Sequence, residues 1–337
     1  VTHEIILAPL QGYTDAVFRD IYFRHFDGIE SAMAPFISTM GEHRLNLSRL
    51  KDILPENNSH ARELIPQILG NVAGDFLFLA KEIEALGYDI VNWNMGCPHS
   101  KVAKKKRGSG MLPWPGMVDE LLASVFEELP CRLSIKLRLG RHDREEILRL
   151  LPVFEKYPIE ELIVHPRTGV QMYTGKADLD YFRVVSDNTS HNLVYNGDIV
   201  SLRFFEDVAC RFSSIKRFMI GRGVLANPFL PSEIKGNVRK KEDDLDKIKM
   251  FHDELFDAYS QKFYGPVHVT GRMKGFWGYM GPSFPESRKF IKRMLKAKGR
   301  EDYRSAAELF FQQSLFFCRL NSVLSRFDCR VENVLNL

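Results

Sequence analysis

The stretch that decides the fold is Leu193–Gly223, LVYNGDIVSLRFFEDVACRFSSIKRFMIGRG. An apolar run, Leu193–Asn196, ends in Asn196-Gly197-Asp198, and a second, Arg217–Ile220, ends in Gly221-Arg222-Gly223. Glycine lets a backbone approach a phosphate closely, and Arg222 can add charge-assisted hydrogen bonds. Working outward, the same grammar recurs at Glu4–Leu10, Ile29–Ala34, Leu64–Leu69, Ile90–Asn94, Arg132–Lys136 and Glu161–His165. Helical patterns such as Phe76–Leu86 and Met117–Glu128 lie between most of these runs. Eight strands with intervening helices in about 235 residues predict an α/β fold, a (β/α)8 TIM barrel, which typically takes ~250. A doubly wound sheet shares this local grammar. In the barrel, the loops after strands 7 and 8 commonly build a phosphate site, which is where the two glycine tripeptides fall.

The chain has 337 residues, 45% of them hydrophobic, an ordinary globular composition. No segment approaches the ~20 uninterrupted apolar residues of a membrane span, and the strand-like run from Ile5 begins at once, so no signal peptide is expected. Five scattered cysteines form no CxxC pair or His/Cys cluster. Neither a disulfide framework nor a metal site is therefore expected, and a reducing cytoplasm is the natural setting. Residues 1–234 carry 27 Lys/Arg against 30 Asp/Glu, whereas residues 235–337 carry 20 against 13. The charged stretch Gly236–Asp244 suggests a boundary between a barrel over 1–235 and a basic helical bundle over 245–337. Helical patterns there are Leu245–Phe263, Arg288–Lys298 and Tyr303–Arg326. In the second, Arg288, Lys289, Lys292, Arg293 and Lys296 share one side while Phe290, Ile291, Met294 and Leu295 share the other. Such a basic face suits a polyanion; it is equally what a solvated helix looks like.

Chemistry in this fold sits at the C-terminal ends of strands. Asn94-Met95-Gly96-Cys97-Pro98-His99-Ser100-Lys101 puts a carboxamide, a thiol and a lysine on one such loop. A single cysteine can equally be an inert small apolar residue. Lys136 and Arg138 alternate with apolar residues at the next strand end, so both can face the barrel mouth. A buried lysine needs an anionic partner, either a ligand or a structural carboxylate. His165 closes the following strand, in a structural or a functional role.

In order along the chain, the motifs are Ala8-Pro9-Leu10 with Gly12 and Thr14-Asp15, Gln67-Ile68-Leu69-Gly70-Asn71, and Asn94-Met95-Gly96-Cys97-Pro98. There follow Lys136-Leu137-Arg138-Leu139-Gly140, His165-Pro166-Arg167-Thr168 with Gln171 and Tyr173, Asn196-Gly197-Asp198 and Gly221-Arg222-Gly223. This set resembles the tRNA-dihydrouridine synthases across about residues 1–230; the C-terminal part matches in size, helical character and charge. Departures are Leu10 where the family more often has Met, Met95 where it has Cys, and Pro166 where it has Gly.

The resemblance implies FMN as cofactor and NADPH as its reductant. Pro9, Leu10 and Gln11 would line the flavin, Gln67 and Lys136 would contact its ring, and His165 would lie close by. Asn196, Gly197, Asp198, Gly221 and Arg222 would hold the phosphate. The implied reaction takes hydride from flavin N5 to C6 of a tRNA uridine and a proton from Cys97 to C5. Asn94 would orient the uracil, with Arg138, Tyr173 and Lys176 as further substrate contacts. Lys101 with the run Lys104–Arg107, Arg272 and Lys274, and the Arg288–Lys296 face would meet the RNA. A monomer acting on tRNA, without a membrane, is expected. The competing readings are a flavin oxidoreductase on a small molecule and an RNA-binding barrel without catalysis.

Overall fold

The computed structural model describes residues 3–237, 244–284 and 287–314. Its strands are β1 (Glu4–Leu7), β2 (Ser31–Met33), β3 (Ile37–Ser38), β4 (Leu64–Ile65), β5 (Gln67–Leu69), β6 (Ile90–Met95), β7 (Arg132–Gly140), β8 (Leu162–Thr168), β9 (Leu193–Tyr195) and β10 (Arg217–Ile220). All pair in parallel, in the order β3-β5-β6-β7-β8-β9-β10-β1-β2-β4. β2 and β3 are two halves of one strand, as are β4 and β5, which Pro66 separates because proline has no N–H for the ladder. With β2 on β4 and β3 on β5 the two ends of that order join. The sheet is a closed barrel of eight strands, the TIM architecture.

Around it lie α1 (Ala16–His25), α2 (Leu47–Leu50), α3 (Ala73–Glu84), α4 (Ser100–Ala103), α5 (Pro115–Phe126), α6 (Glu146–Phe154), α7 (Leu179–Asp187), α8 (Leu202–Arg211), α9 (Arg222–Ala226) and α10 (Leu230–Ile234). The C-terminal region is helical: α11 (Asp244–Lys262), α12 (Pro266–Met280), α13 (Arg288–Lys296) and a helix over 300–314. The linker expected at Gly236–Asp244 falls mostly outside the described residues, as does the end of the Tyr303–Arg326 helix. Sequence reading did not mark α12 as a helix.

Strand alternation sorts the side chains into two layers. Ile5 and Leu7 point outward into the large core shared with the helices, while Ile6 and Ala8 join Met33, Ile65, Ile90, Ile163, Val194 and Met219 inside the barrel. Toward the C-terminal ends the inward positions turn polar. Val91, Trp93 and Met95 face the helices, leaving Asn92 and Asn94 inside; Ile135 and Leu137 do likewise, leaving Ser134, Lys136 and Arg138. Register then places Asn94 beside Lys136 and Arg138 beside His165.

The C-terminal helices pack on α1. Phe18 stacks on Phe276 with ring centroids 5.3 Å apart, and Tyr259 donates its hydroxyl proton to Asp15 Oδ1 at 2.8 Å. Inside this bundle the Tyr303 hydroxyl accepts from Trp277 Nε1 at 2.8 Å and lies 2.9 Å from His252 Nε2.

Candidate active site

A cavity of about 480 Å³ opens at the C-terminal mouth of the barrel, within the usual size of a small-molecule site. Its walls include Pro9, Leu10, Gln11, Asn94, Cys97, Lys136, Arg138, His165 and Tyr173, together with Asn196, Gly197, Asp198, Gly221 and Arg222. Fourteen of the residues singled out from sequence thus converge at the barrel mouth. Tyr13, Phe36 and Tyr279 also line it; sequence reading did not single them out.

The thiol loop is held by a relay of carboxamides. Asn92 Nδ2 donates to Ser134 Oγ at 2.8 Å, Gln67 Nε2 to Asn92 Oδ1 at 2.7 Å, and Asn94 Nδ2 to Gln67 Oε1 at 2.7 Å. Asn94 Oδ1 then accepts from the backbone N–H of Cys97 at 2.8 Å and of Gly96 at 3.1 Å. One amide hydrogen of Asn94 stays available to a ligand. Gln67 is fully buried behind this relay and does not line the cavity; in the structure it orients Asn94. Burial pushes the Cys97 thiol up, against the His99 N–H and nearby cations that pull it down, so it is a protonated acid at neutral pH.

Lys136 meets no carboxylate among the described residues, so the structural pairing considered from sequence is not realised. Burial first, then the neighbouring Arg138, lower its amine to about 7. Arg138 is itself engaged, donating to the carbonyls of Gly96, Thr168 and Met172 at 3.1, 2.8 and 2.7 Å. It therefore pins two rim loops while forming part of the wall. Burial and the cations Arg138, Lys136, Arg167 and Arg222 hold His165 well below its ordinary value, hence neutral. Arg167 Nη1 donates to His165 Nε2 at 3.0 Å, which leaves the proton on Nδ1.

Arg167 is fully buried and was read from sequence only as part of a motif. It grips Asp198 through both carboxylate oxygens, at 2.9 and 2.6 Å. Asp198 also accepts from Arg222 and from the Ala177 N–H, each at 2.9 Å. Burial raises this carboxyl, but Arg167 and the Ala177 N–H outweigh it and the net displacement is downward. With φ of 48°, Asp198 occupies the left-handed region that aspartate tolerates. Its carboxylate positions Arg222, whose other N–H groups meet no acceptor among the described residues. Gly223 permits this turn, since a Cβ there would lie 2.0 Å from the Ile199 carbonyl oxygen.

Four expected contacts stand away from the cavity. Lys101 and Lys176 are exposed to solvent. Arg272 lies against the rings of Tyr259 and Phe263, 3.9 Å from Asp15, and Lys274 donates to the Ala297 carbonyl. The last two brace helices, which sequence alone could not separate from solvent-facing cations. Among the described residues no His/Cys/Asp/Glu cluster could hold a metal ion, and no helix is long and apolar enough to cross a membrane.

Residues 6–276 match the family model described as dihydrouridine synthase (Dus). The chain belongs to the dihydrouridine synthase family. Its relatives in that family include the tRNA-dihydrouridine(16) synthase of Neisseria meningitidis serogroup A, 26% identical over 91% of this chain and 94% of that one. Another is tRNA-dihydrouridine synthase B of Pseudomonas putida, 27% identical over 92% of each chain. At the level of fold, the old yellow enzyme homologue from Zymomonas mobilis matches with a TM-score of 0.52 and 12% identity, over 73% of this chain and 94% of that one. The cavity of this dihydrouridine synthase family member thus sits where barrel enzymes place their chemistry.

Proposed function

We propose that this protein is a flavin-dependent tRNA-dihydrouridine synthase that uses FMN and a nicotinamide reductant, NADPH, to saturate the C5–C6 bond of uridines in tRNA. One observation carries the reading: the Cys97 thiol, the unpaired Lys136 amine and the Asp198–Arg222 cradle share one cavity. Those residues fit FMN. Lys136, Arg138 and Arg222 make the cavity electropositive, and its one lining carboxylate, Asp198, is already spent on arginines. Such a wall favours an anion, which a phosphate at Arg222 and a negatively charged ring near Lys136 would supply. When bound, the flavin provides the hydride for C6 of the uracil.

The chain's own residues do the rest. Cys97 holds a proton at neutral pH and delivers it to C5. Asn94 fixes the thiol loop with its oxygen and offers an amide hydrogen to the uracil. Lys136, poised near neutrality, gains a proton when negative charge arrives beside it. Neutral His165 presents Nδ1–H as a donor. A uracil stacked within folded RNA has to be turned out to reach this cavity. The exposed Lys101 and the outward face of α13 (Arg288, Lys289, Lys292, Arg293, Lys296) supply cations for the phosphates around it. We assign residues 1–235 to catalysis and the following helices to RNA docking. A cytoplasmic setting accords with the free thiols of Cys97, Cys131 and Cys210.

The test is direct. Protein loaded with FMN is incubated with NADPH and an unmodified tRNA transcript, and nucleosides are analysed by mass spectrometry. Dihydrouridine should form in the transcript and not from free uridine monophosphate. Its absence from the transcript refutes the activity; equal turnover of the free nucleotide refutes the RNA specificity.

A further inference from the structure

Among the described residues, every wall of the catalytic cavity but one comes from the strands and loops of the barrel; the exception is Tyr279, near the end of α12. Its placement is fixed from the barrel side. Tyr13, on the loop after β1, sits edge-on against Phe276 and Tyr279, with centroids 5.6 and 5.3 Å away. Gly275 lets the two approach closely: a Cβ there would lie 3.0 Å from the Tyr13 ring, a contact tight enough to press on it. Phe276 in turn stacks on Phe18 of α1. A ring of one unit is thereby keyed into a notch in a helix of the other, and Tyr279 is held beside the cavity.

Tyr173 lines the same cavity, about half exposed, with Arg138 and Arg222 over its ring at 5.4 and 4.8 Å. The cavity thus carries two phenols in its wall, one from a barrel loop and one from the helical region. A phenol offers an apolar face and one hydroxyl that both donates and accepts. Burial keeps the Tyr279 hydroxyl protonated above its ordinary range. This pairing suits a planar heterocycle with polar edges attached to a sugar.

We propose that Tyr279 is a substrate-contacting, specificity-determining residue: it seats the target nucleotide from the helical side, so that the catalytic cavity is complete only when α12 is docked. The inference rests on the activity proposed above. It makes the helical region part of the site itself as well as a platform for RNA. Closing the pocket from that side excludes water and limits the poses open to a flipped base.

The experiment uses FMN-loaded full-length protein, with Tyr279→Ala and Tyr279→Phe as variants. Three quantities are read: tRNA affinity, the change in flavin absorbance when an unmodified tRNA transcript is added, and steady-state dihydrouridine formation. NADPH reduction of the flavin without RNA serves as the control. The alanine variant should bind tRNA and take up reducing equivalents within about twofold of wild type, yet lose the RNA-induced spectral change and about 10–100-fold in kcat/KM. The phenylalanine variant, which keeps the ring, should retain most of the spectral change. An alanine variant that keeps the wild-type spectral response and turnover overturns the proposal. A parallel loss of flavin reduction overturns it too, since Tyr279 would then be structural. Wild-type protein that gives the spectral change but no dihydrouridine overturns the proposed activity instead, and the comparison of spectra still decides the role of Tyr279.

Discussion

Replacing Lys136 with methionine should stabilise the flavin-free protein while weakening its hold on flavin. An amine ordinarily near 10.5 sits at about 7 in this cavity, chiefly through burial and secondarily through Arg138. At ~1.4 kcal/mol for each pH unit of displacement, the upper bound on what the folded chain forfeits is about 5 kcal/mol. The side chain keeps partial access to cavity water, which screens the charge, so about 2 kcal/mol is the expected gain. The sign follows from proton uptake. Between pH 10.5 and about 7 the unfolded lysine is charged and the folded one is not, so wild-type stability rises with pH across that window. The methionine variant lacks this dependence. Its advantage should be full below pH 7 and fade toward pH 10.5. Urea unfolding of both flavin-free proteins at roughly pH 6.5 and pH 9.5 measures it. An advantage of equal size at both pH values would mean better packing rather than relief of a buried charge. A loss of stability at the lower pH would refute the argument outright.

Three further outcomes follow from the geometry. Cys97→Ala should keep flavin and its reduction but lose ~10²–10⁴-fold in dihydrouridine formation in single-turnover assays; because burial raises the thiol, wild-type activity should decline only above the usual thiol range. Gly223→Val drives a side chain into the Ile199 carbonyl. It should weaken FMN binding by about tenfold or more in fluorescence titrations, while far-UV circular dichroism still reports a folded barrel. Alanine at Lys289, Lys292 and Arg293 together should lower tRNA affinity and leave flavin reduction unchanged. The logarithmic salt dependence of binding should flatten by ~0.7–0.9 for each phosphate that is no longer neutralised.

The barrel was legible because its signal is local. Each strand is a short apolar run that stops at a polar or glycine-bearing turn, and all eight runs became strands. What could not be read was where neighbours interrupt them. Pro66 splits one strand, and Ile37–Ser38 pairs with β5 as a detached half of another. β7 runs on to Gly140, past the expected end at Lys136, through a register shift between Arg138 and Gly140. Helix α12 stayed hidden for a tertiary reason. Gly271, Gly275 and Gly278 each disfavour a helix by ~1 kcal/mol relative to alanine, so the propensity signal is poor. Gly275 packs against Tyr13, a contact spanning most of the chain.

The site was legible by residue type and illegible by assignment of charge. A cation in a sequence says nothing of the acceptors that the fold brings to it. Arg138 is spent largely on three carbonyls, Arg272 on Asp15 and two aromatic rings, and Lys274 on the Ala297 carbonyl. Arg300 donates to the Phe263 carbonyl and Arg304 pairs with Asp257. Among the described residues, the basic excess of the C-terminal region therefore overstates what RNA can meet, because several of these cations hold helices to one another and to the barrel. Among the described residues, the cations that remain exposed are concentrated on the outer face of α13, where Ile291 and Met294 anchor the opposite side. An RNA docked there would engage a narrow stripe rather than the whole region. Tight orientation of a substrate by few contacts demands a second point of registration, and the cavity wall that α12 contributes stands where one is needed.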